Sequence, residues 1–208
     1  MKKLIYCLAL GALLLLLAAC ESGGQFRVVN QTYYPLYVTL EGESEVTIPG
    51  NSEQTFDVDT ATEHIFNPDV EEEIKLRMVG ETYQIWDDVE EAYTDSTTVT
   101  IKAGETLSAY ITANCASFKV VNNSSLGVQK IELYKHNFIA AQYMGDLGAL
   151  APGQSRFLRV GYVSPNNYFY YYAILTMADE DGTEYTFGGE TTVLNKDEQF
   201  LITLTDPD

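Results

Sequence analysis

Basic side chains are scarce in this chain: 12 Lys and Arg stand against 30 Asp and Glu, a formal charge of −18. A field of that sign repels phosphate backbones, which excludes nucleic-acid binding. A solvated acidic surface accounts for the imbalance without any cation-dependent role. Histidine is rarer still, with only His64 and His136. No Gly-x-Ser-x-Gly elbow, His-Glu-x-x-His, paired Cys-x-x-Cys, Gly-x-Gly-x-x-Gly or Walker-type loop occurs, so the usual signatures of hydrolase, zinc, redox and nucleotide sites are missing. A Ser/His/Asp triad assembles only in space, so a hydrolase with an unrecognised site stays open as a third reading. The three cysteines, Cys7, Cys20 and Cys115, are too few for a disulfide scaffold, and the fold must rest on ordinary core packing. Apolar periodicity of 3.6 residues is not sustained beyond the N-terminal segment, which argues against amphipathic helices.

What is present begins with that segment. Lys2 and Lys3 precede an apolar run, Leu4–Ala19, shorter than the about 18–20 residues a bilayer-spanning helix needs and typical of a secretory signal. Leu17-Ala18-Ala19-Cys20 resembles the bacterial lipobox, which implies a signal peptide over residues 1–19 and a lipidated Cys20 at the mature N-terminus. Two or three acyl chains hold a protein stably on a bilayer where one holds it only marginally. Glu21, where inner-membrane retention would have Asp, points to the outer membrane, facing periplasm or exterior. Loss of Lys2 and Lys3 with the leader leaves ten basic residues against 30 acidic ones, about −20. Cys7 leaves with the leader, and Cys115 has no remaining partner.

After a short tether, residues 20–25, the chain writes one phrase twice: Phe26-Arg27-Val28-Val29-Asn30 and Phe118-Lys119-Val120-Val121-Asn122. Ile48-Pro49-Gly50-Asn51-Ser52 is echoed by Ala151-Pro152-Gly153-Gln154-Ser155, Leu76-Arg77-Met78 by Leu175-Thr176-Met177, and Thr97-Thr98-Val99 by Thr191-Thr192-Val193. The spacing is too long for solenoid units of about 20–50 residues, so the expectation is tandem duplication of a domain, at 25–113 and 117–206. β-branched and aromatic runs alternate with turn signals every about 8–12 residues, as in an all-β sandwich. Asp181-Gly182 predicts a hairpin, with Val79-Gly80-Glu81 as its shorter counterpart. No Pro- or Gly-rich stretch separates the copies, which predicts a closely coupled pair. Lipobox, sandwich rhythm and the Val-x-Asn … Pro-Gly-x-Ser … Asp-Gly-x-x-Tyr skeleton of the second copy resemble outer-membrane lipoproteins of the Bacteroidota type carrying tandem immunoglobulin- or fibronectin-like antiparallel β-sandwich domains. Neither copy has the Cys…Trp…Cys spacing of antibody domains, and the resemblance implies no catalytic residue.

The most unusual local feature is Tyr168-Phe169-Tyr170-Tyr171-Tyr172. On a strand Tyr168, Tyr170 and Tyr172 share one face, and Phe169 and Tyr171 the other. The run reads either as a wide amphipathic strand with aromatic cross-strand pairs or as a contact surface for sugar or protein, since tyrosine combines apolar area with a polar tip. Tyr33-Tyr34-Pro35, placed beside the tether-proximal end, carries the same ambiguity. Carboxylate runs such as Glu71-Glu72-Glu73 are too abundant to mark a glycosidase pair. Asp179 and Asp181 form a weak calcium candidate without the remaining ligands of a calcium loop, and an acidic hairpin turn explains them as well. Asn-x-Ser/Thr at Asn30, Asn122 and Asn123 reads as turn residues bonding their own backbone. Together these features describe a noncatalytic, lipid-anchored envelope protein acting as a binding, adhesion or assembly module, without cofactor. The alternative is a carbohydrate-binding accessory lipoprotein that uses exposed tyrosines.

Overall fold

In the computed structural model, which describes residues 23–61 and 70–206, the chain is all-β. The leader, Cys20 and His64 lie outside the described residues. The first half contains β1 (Gly24–Asn30), β2 (Leu36–Leu40), β3 (Val46–Ile48), β4 (Ser52–Val58), β5 (Glu71–Gly80), β6 (Ile85–Asp87), β7 (Ala92–Thr94), β8 (Ser96–Lys102) and β9 (Thr106–Ile111). The second contains β10 (Ala116–Asn122), β11 (Val128–His136), β12 (Ala141–Asp146), β13 (Ser155–Val160), β14 (Tyr170–Met177), β15 (Glu184–Gly188) and β16 (Gln199–Leu204).

Hydrogen bonding sorts these strands into two sandwiches. Sheet β4-β1-β9 packs on β3-β2-β5-β8, and sheet β13-β10-β16 on β12-β11-β14-β15. With β6 and β7 set aside and the remaining strands of each half lettered a to g, both halves have the order d-a-g over c-b-e-f. The antibody arrangement is a-b-e-d over c-f-g, so the sandwich is of immunoglobulin type without its strand order. One pair in each half departs from the antiparallel expectation: β1 runs parallel to β9, and β10 to β16. Seven strands that reverse at every connection leave the first and last pointing the same way, and here those two are neighbours.

The side-chain period of two explains the repeated phrase. Phe26, Val28 and Asn30 on β1, and Phe118, Val120 and Asn122 on β10, face inward and are buried. Each half closes its own core, around Phe26, Leu36, Val38 and Leu76 in one and Phe118, Leu133, Tyr171 and Leu175 in the other. Full burial of each such side chain stabilises by about 1.5–3 kcal/mol.

Two local expectations are corrected. Val79-Gly80-Glu81 does not close a hairpin: β5 pairs with β8, and the β6–β7 ribbon projects from the connection between them. Thr97–Val99 lies on β8 whereas Thr191–Val193 lies in the loop between β15 and β16, so that echo joins non-equivalent places. β7 and β12 carry weak strand signals, because Ala92–Thr94 is short and Ala141–Asp146 contains no β-branched residue; β12 is an edge strand with a register shift at Leu133/Tyr134. The Pro-Gly turns also differ in chemistry. Gly153 takes a φ of +75°, but in the first half Asn51 takes the positive φ, +55°, and Gly50 is required because a Cβ there would lie 2.3 Å from the Tyr33 carbonyl oxygen.

A polar joint connects the halves. The Glu81 side chain is wholly buried there, its carboxylate 2.6 Å from Lys119 Nζ and accepting from Gln199 Nε2 at 2.6 Å and the Tyr37 hydroxyl at 3.1 Å. Arg159 donates to the Gly80 carbonyl at 2.7 Å and pairs with Asp95 at 2.8 Å. Asp197 accepts from the Thr82 hydroxyl at 2.6 Å and from Tyr33 N–H at 3.0 Å. Tyr37 stacks on Phe157 with centroids 6.5 Å apart.

Candidate functional site

The outer face of sheet β12-β11-β14-β15 carries a ladder of aromatic rings. On β14 the burial alternates, so Tyr171, Ala173 and Leu175 enter the core while Tyr170, Tyr172 and Ile174 face outward. β11 pairs with it in antiparallel register, placing Tyr134 opposite Tyr172 and His136 opposite Tyr170. Tyr134 and Tyr172 stack at 5.0 Å with planes 6° apart, His136 and Tyr170 at 4.8 Å and 17°, and Phe138 and Tyr168 at 5.5 Å and 19°. Tyr143 on β12 adds an edge contact to Tyr134 at 5.6 Å. Its neighbours' rings remove water from the Tyr134 phenol, and with Glu132 nearby its pKa is raised.

The ladder ends in an apolar tip. Asn137 Oδ1 accepts from the N–H groups of Ile139 and Ala140 at 3.0 and 2.9 Å, closing a tight turn between β11 and β12. That turn holds Phe138 86% and Ile139 92% exposed. Behind the ladder, Phe169 and Tyr171 are buried, and the Tyr171 hydroxyl donates to the Gly161 carbonyl at 2.9 Å. Burial raises the Tyr171 pKa above the usual phenol range.

Of the sequence candidates, the fold thus brings Tyr168, Tyr170 and Tyr172 onto one surface. Tyr33 and Tyr34 are elsewhere. Their loop is not at the tether-proximal end, because seven residues of β1 at about 3.3 Å each carry it to the opposite end, against Asp197 of the second half. Asp179 Oδ1 accepts from Thr183 N–H at 2.8 Å within the β14–β15 turn, and these bonds lower its pKa. Among the described residues no cluster of His, Cys, Asp and Glu is arranged to hold a metal ion. His136 Nδ1 is buried, with no hydrogen-bond partner among the described residues. A recess of about 290 Å³ at the joint, between Tyr37, Arg77, Lys119 and Phe157, has its Glu81–Lys119 and Glu45–Arg77 charges already paired.

Tyr134, His136, Phe138 and Tyr143 were missed from the sequence, although a signal existed. Between Glu132 and Asp179 the only acidic residue is Asp146, in a chain with 30 of them. That stretch carries the whole ladder, the tip and the loop of Tyr162. The aromatic rows nearest the tip carry no carboxylate, and Glu132, Asp146 and Glu184 are grouped at the other end of the same sheet face; an aromatic, charge-depleted patch on an acidic protein has the composition of an interface core.

No family model and no curated protein matches the chain. Solved structures similar to it include the Bacillus anthracis TIE protein, 14% identical over 89% of this chain and 34% of that one, with a TM-score of 0.30. A DUF3823 family protein from Bacteroides ovatus is 12% identical over 78% of this chain and 94% of that one, TM-score 0.25. The major pilin from Streptococcus pyogenes is 11% identical over 89% and 98%, TM-score 0.23. The chain spans about a third of the length of the Bacillus anthracis protein.

Proposed function

We propose that this chain is a noncatalytic, lipid-anchored protein of a bacterial cell envelope, built from two duplicated β-sandwich domains, whose second domain binds a protein partner through the tyrosine ladder. The observation that carries this reading is the outward row of stacked rings, Tyr134/Tyr172, His136/Tyr170 and Phe138/Tyr168, on a preformed sheet. Rings ordered against one another lose little further entropy on binding and supply anchors of the kind that dominate protein interfaces. The duplication is supported by the shared strand order and by the matching buried Asn30 and Asn122. Anchoring through Cys20 rests on the lipobox resemblance, and a Cys20→Ala chain is expected to leave the membrane fraction.

The test uses purified residues 21–208 and isolated cell envelopes. Binding is expected to fall at least about tenfold in the Tyr170→Ala/Tyr172→Ala double variant, the size of one strong anchor, with circular dichroism unchanged. Equal binding by the folded variant would reject the ladder as the contact surface.

A glycan reading has its own observation. Trp86 and Tyr93 form an edge-to-face pair at 5.1 Å on the β6–β7 ribbon, 49% and 55% exposed, where a sugar ring has room to stack. The ladder rings, in contrast, spend their faces on each other and present edges and hydroxyls. Glycan-array binding lost in Trp86→Ala but kept in the Tyr170→Ala/Tyr172→Ala variant would favour the ribbon and a carbohydrate ligand.

A further inference from the structure

We infer that the β6–β7 ribbon holds a saccharide that carries free amino groups, its ring on Trp86 and Tyr93 and its ammonium groups against the carboxylates of the connecting turn. The inference rests on the glycan reading of the ribbon and names the class of sugar. The ribbon is a preformed support. Its residue Ile85 packs against the core of the first half, and Asn114 grips its base, accepting from Gln84 N–H at 3.0 Å and donating to the Gln84 carbonyl at 2.7 Å. Side chains alternate along a strand, so seating Ile85 inward turns Trp86 outward, and its pairing with Tyr93 sets both rings on that outer face. Their planes cross at 73° with centroids 5.1 Å apart, and each ring stays about half exposed. The ring that gives its edge keeps its own faces free for the apolar side of a pyranose.

Charge selects the class of sugar. The turn between the two strands carries Asp88, Glu90 and Glu91, all exposed. Asp87 does not join them, since its Oδ1 accepts from the N–H groups of Val89 and Glu90 at 2.8 and 3.1 Å and closes the turn. No Lys or Arg occurs between Arg77 and Lys102, and among the described residues none of the three turn carboxylates forms an ion pair. Uncompensated carboxylates beside the rings repel a sulfated or uronic saccharide and give a neutral one no advantage. A protonated amino sugar meets both features at once: the carboxylates accept its N–H groups in charge-assisted bonds, and an ammonium near the Trp86 face gains a cation–π attraction. A pyranose also arrives already rigid, whereas a lysine-rich peptide loses backbone and side-chain freedom on a two-stranded ribbon.

Isothermal titration calorimetry of residues 21–208, lacking the lipid, provides the test, with glucosamine hexasaccharide, N-acetylglucosamine hexasaccharide and hexalysine as probes. At about pH 6 the sugar amines are charged and the carboxylates ionised. The glucosamine oligomer is expected to bind at least about tenfold more tightly than the acetylated one, a preference that narrows in about 0.5 M salt. Trp86→Ala should weaken both sugars about tenfold. The Asp88→Asn/Glu90→Gln/Glu91→Gln variant should erase the preference and leave the acetylated oligomer's affinity in place. These side chains are exposed, and circular dichroism checks that each variant folds. Equal binding of the two sugars through Trp86 overturns the amino-sugar inference and keeps the glycan reading, whereas binding of neither overturns both. Glucosamine binding indifferent to Trp86→Ala is attraction of a polycation to an acidic surface and overturns the inference. Hexalysine bound as tightly and as dependent on Trp86 makes the ribbon a site for basic segments and overturns the sugar.

Discussion

At the scale of single residues, the two buried asparagines show how little sequence is needed to build a turn. Asn122 Nδ2 donates to the carbonyls of Leu126 and Leu150 at 2.8 and 3.3 Å, while its Oδ1 accepts from Ser124 N–H and hydroxyl. Asn30 repeats the arrangement with Tyr34, Ile48 and Pro49 as acceptors and Thr32 as donor. One side chain thus ends a strand, shapes the following turn and ties it to a loop of the opposite sheet. Asn122→Ala strands several buried groups, and urea unfolding is expected to show a loss of about 2–4 kcal/mol. Cys115 tells a different story: burial pushes its thiol up to about 11. It should therefore resist Ellman's reagent at pH 8 in the native protein with Cys20 replaced, and react fully once urea unfolds the chain.

At the scale of elements, the β11–β14 ribbon carries both stability and contact surface. The inner positions of β14 fill the core, and the outer ones stack on β11. A double-mutant cycle between Tyr134 and Tyr172 should return a coupling of about 0.5–1.5 kcal/mol, as expected for an aromatic pair beyond its area burial. The same cycle between Tyr134 and Tyr110, on different halves, should return none within error. This ribbon was partly legible in the sequence, since the alternation of Tyr168–Tyr172 assigns its two faces. Its partner strand was not read for function, because Tyr134, His136 and Phe138 become a surface only when antiparallel register sets them opposite Tyr172, Tyr170 and Tyr168.

At the scale of the molecule, the joint decides whether two sandwiches behave as one. Glu81 holds Lys119, Gln199 and Tyr37 at once. Glu81→Ala leaves a largely buried Lys119 ammonium without its counter-ion, a costly state. Scanning calorimetry should then resolve two transitions, one per half, where the parent shows a single coupled one. The joint is also sensitive to alkali. Burial and the adjacent Glu81 carboxylate push the Tyr37 phenol up to about 12, against about 10 in an unfolded chain. The folded state therefore favours the neutral phenol, and this contribution is complete below about pH 10 and lost as pH climbs through about 12. Melting temperature over that window should fall more steeply for the parent than for Tyr37→Phe.

The sequence by itself determined the all-β class, the inward Phe and Val positions of β1 and β10, and the asparagine turns, because period-two burial and short-range hydrogen bonding are properties of a few adjacent residues. The acidic balance and the lipobox resemblance are equally local. Only the tertiary structure decided that β1 lies parallel to β9, that Glu81 is a buried joint residue and not part of a tight turn, and that Tyr33 and Tyr34 sit against the second half, away from the ladder. Each of these depends on which strands become neighbours. Pairing between strands far apart in the chain is set by how two sheets close around a core, and no stretch of a few residues contains that information.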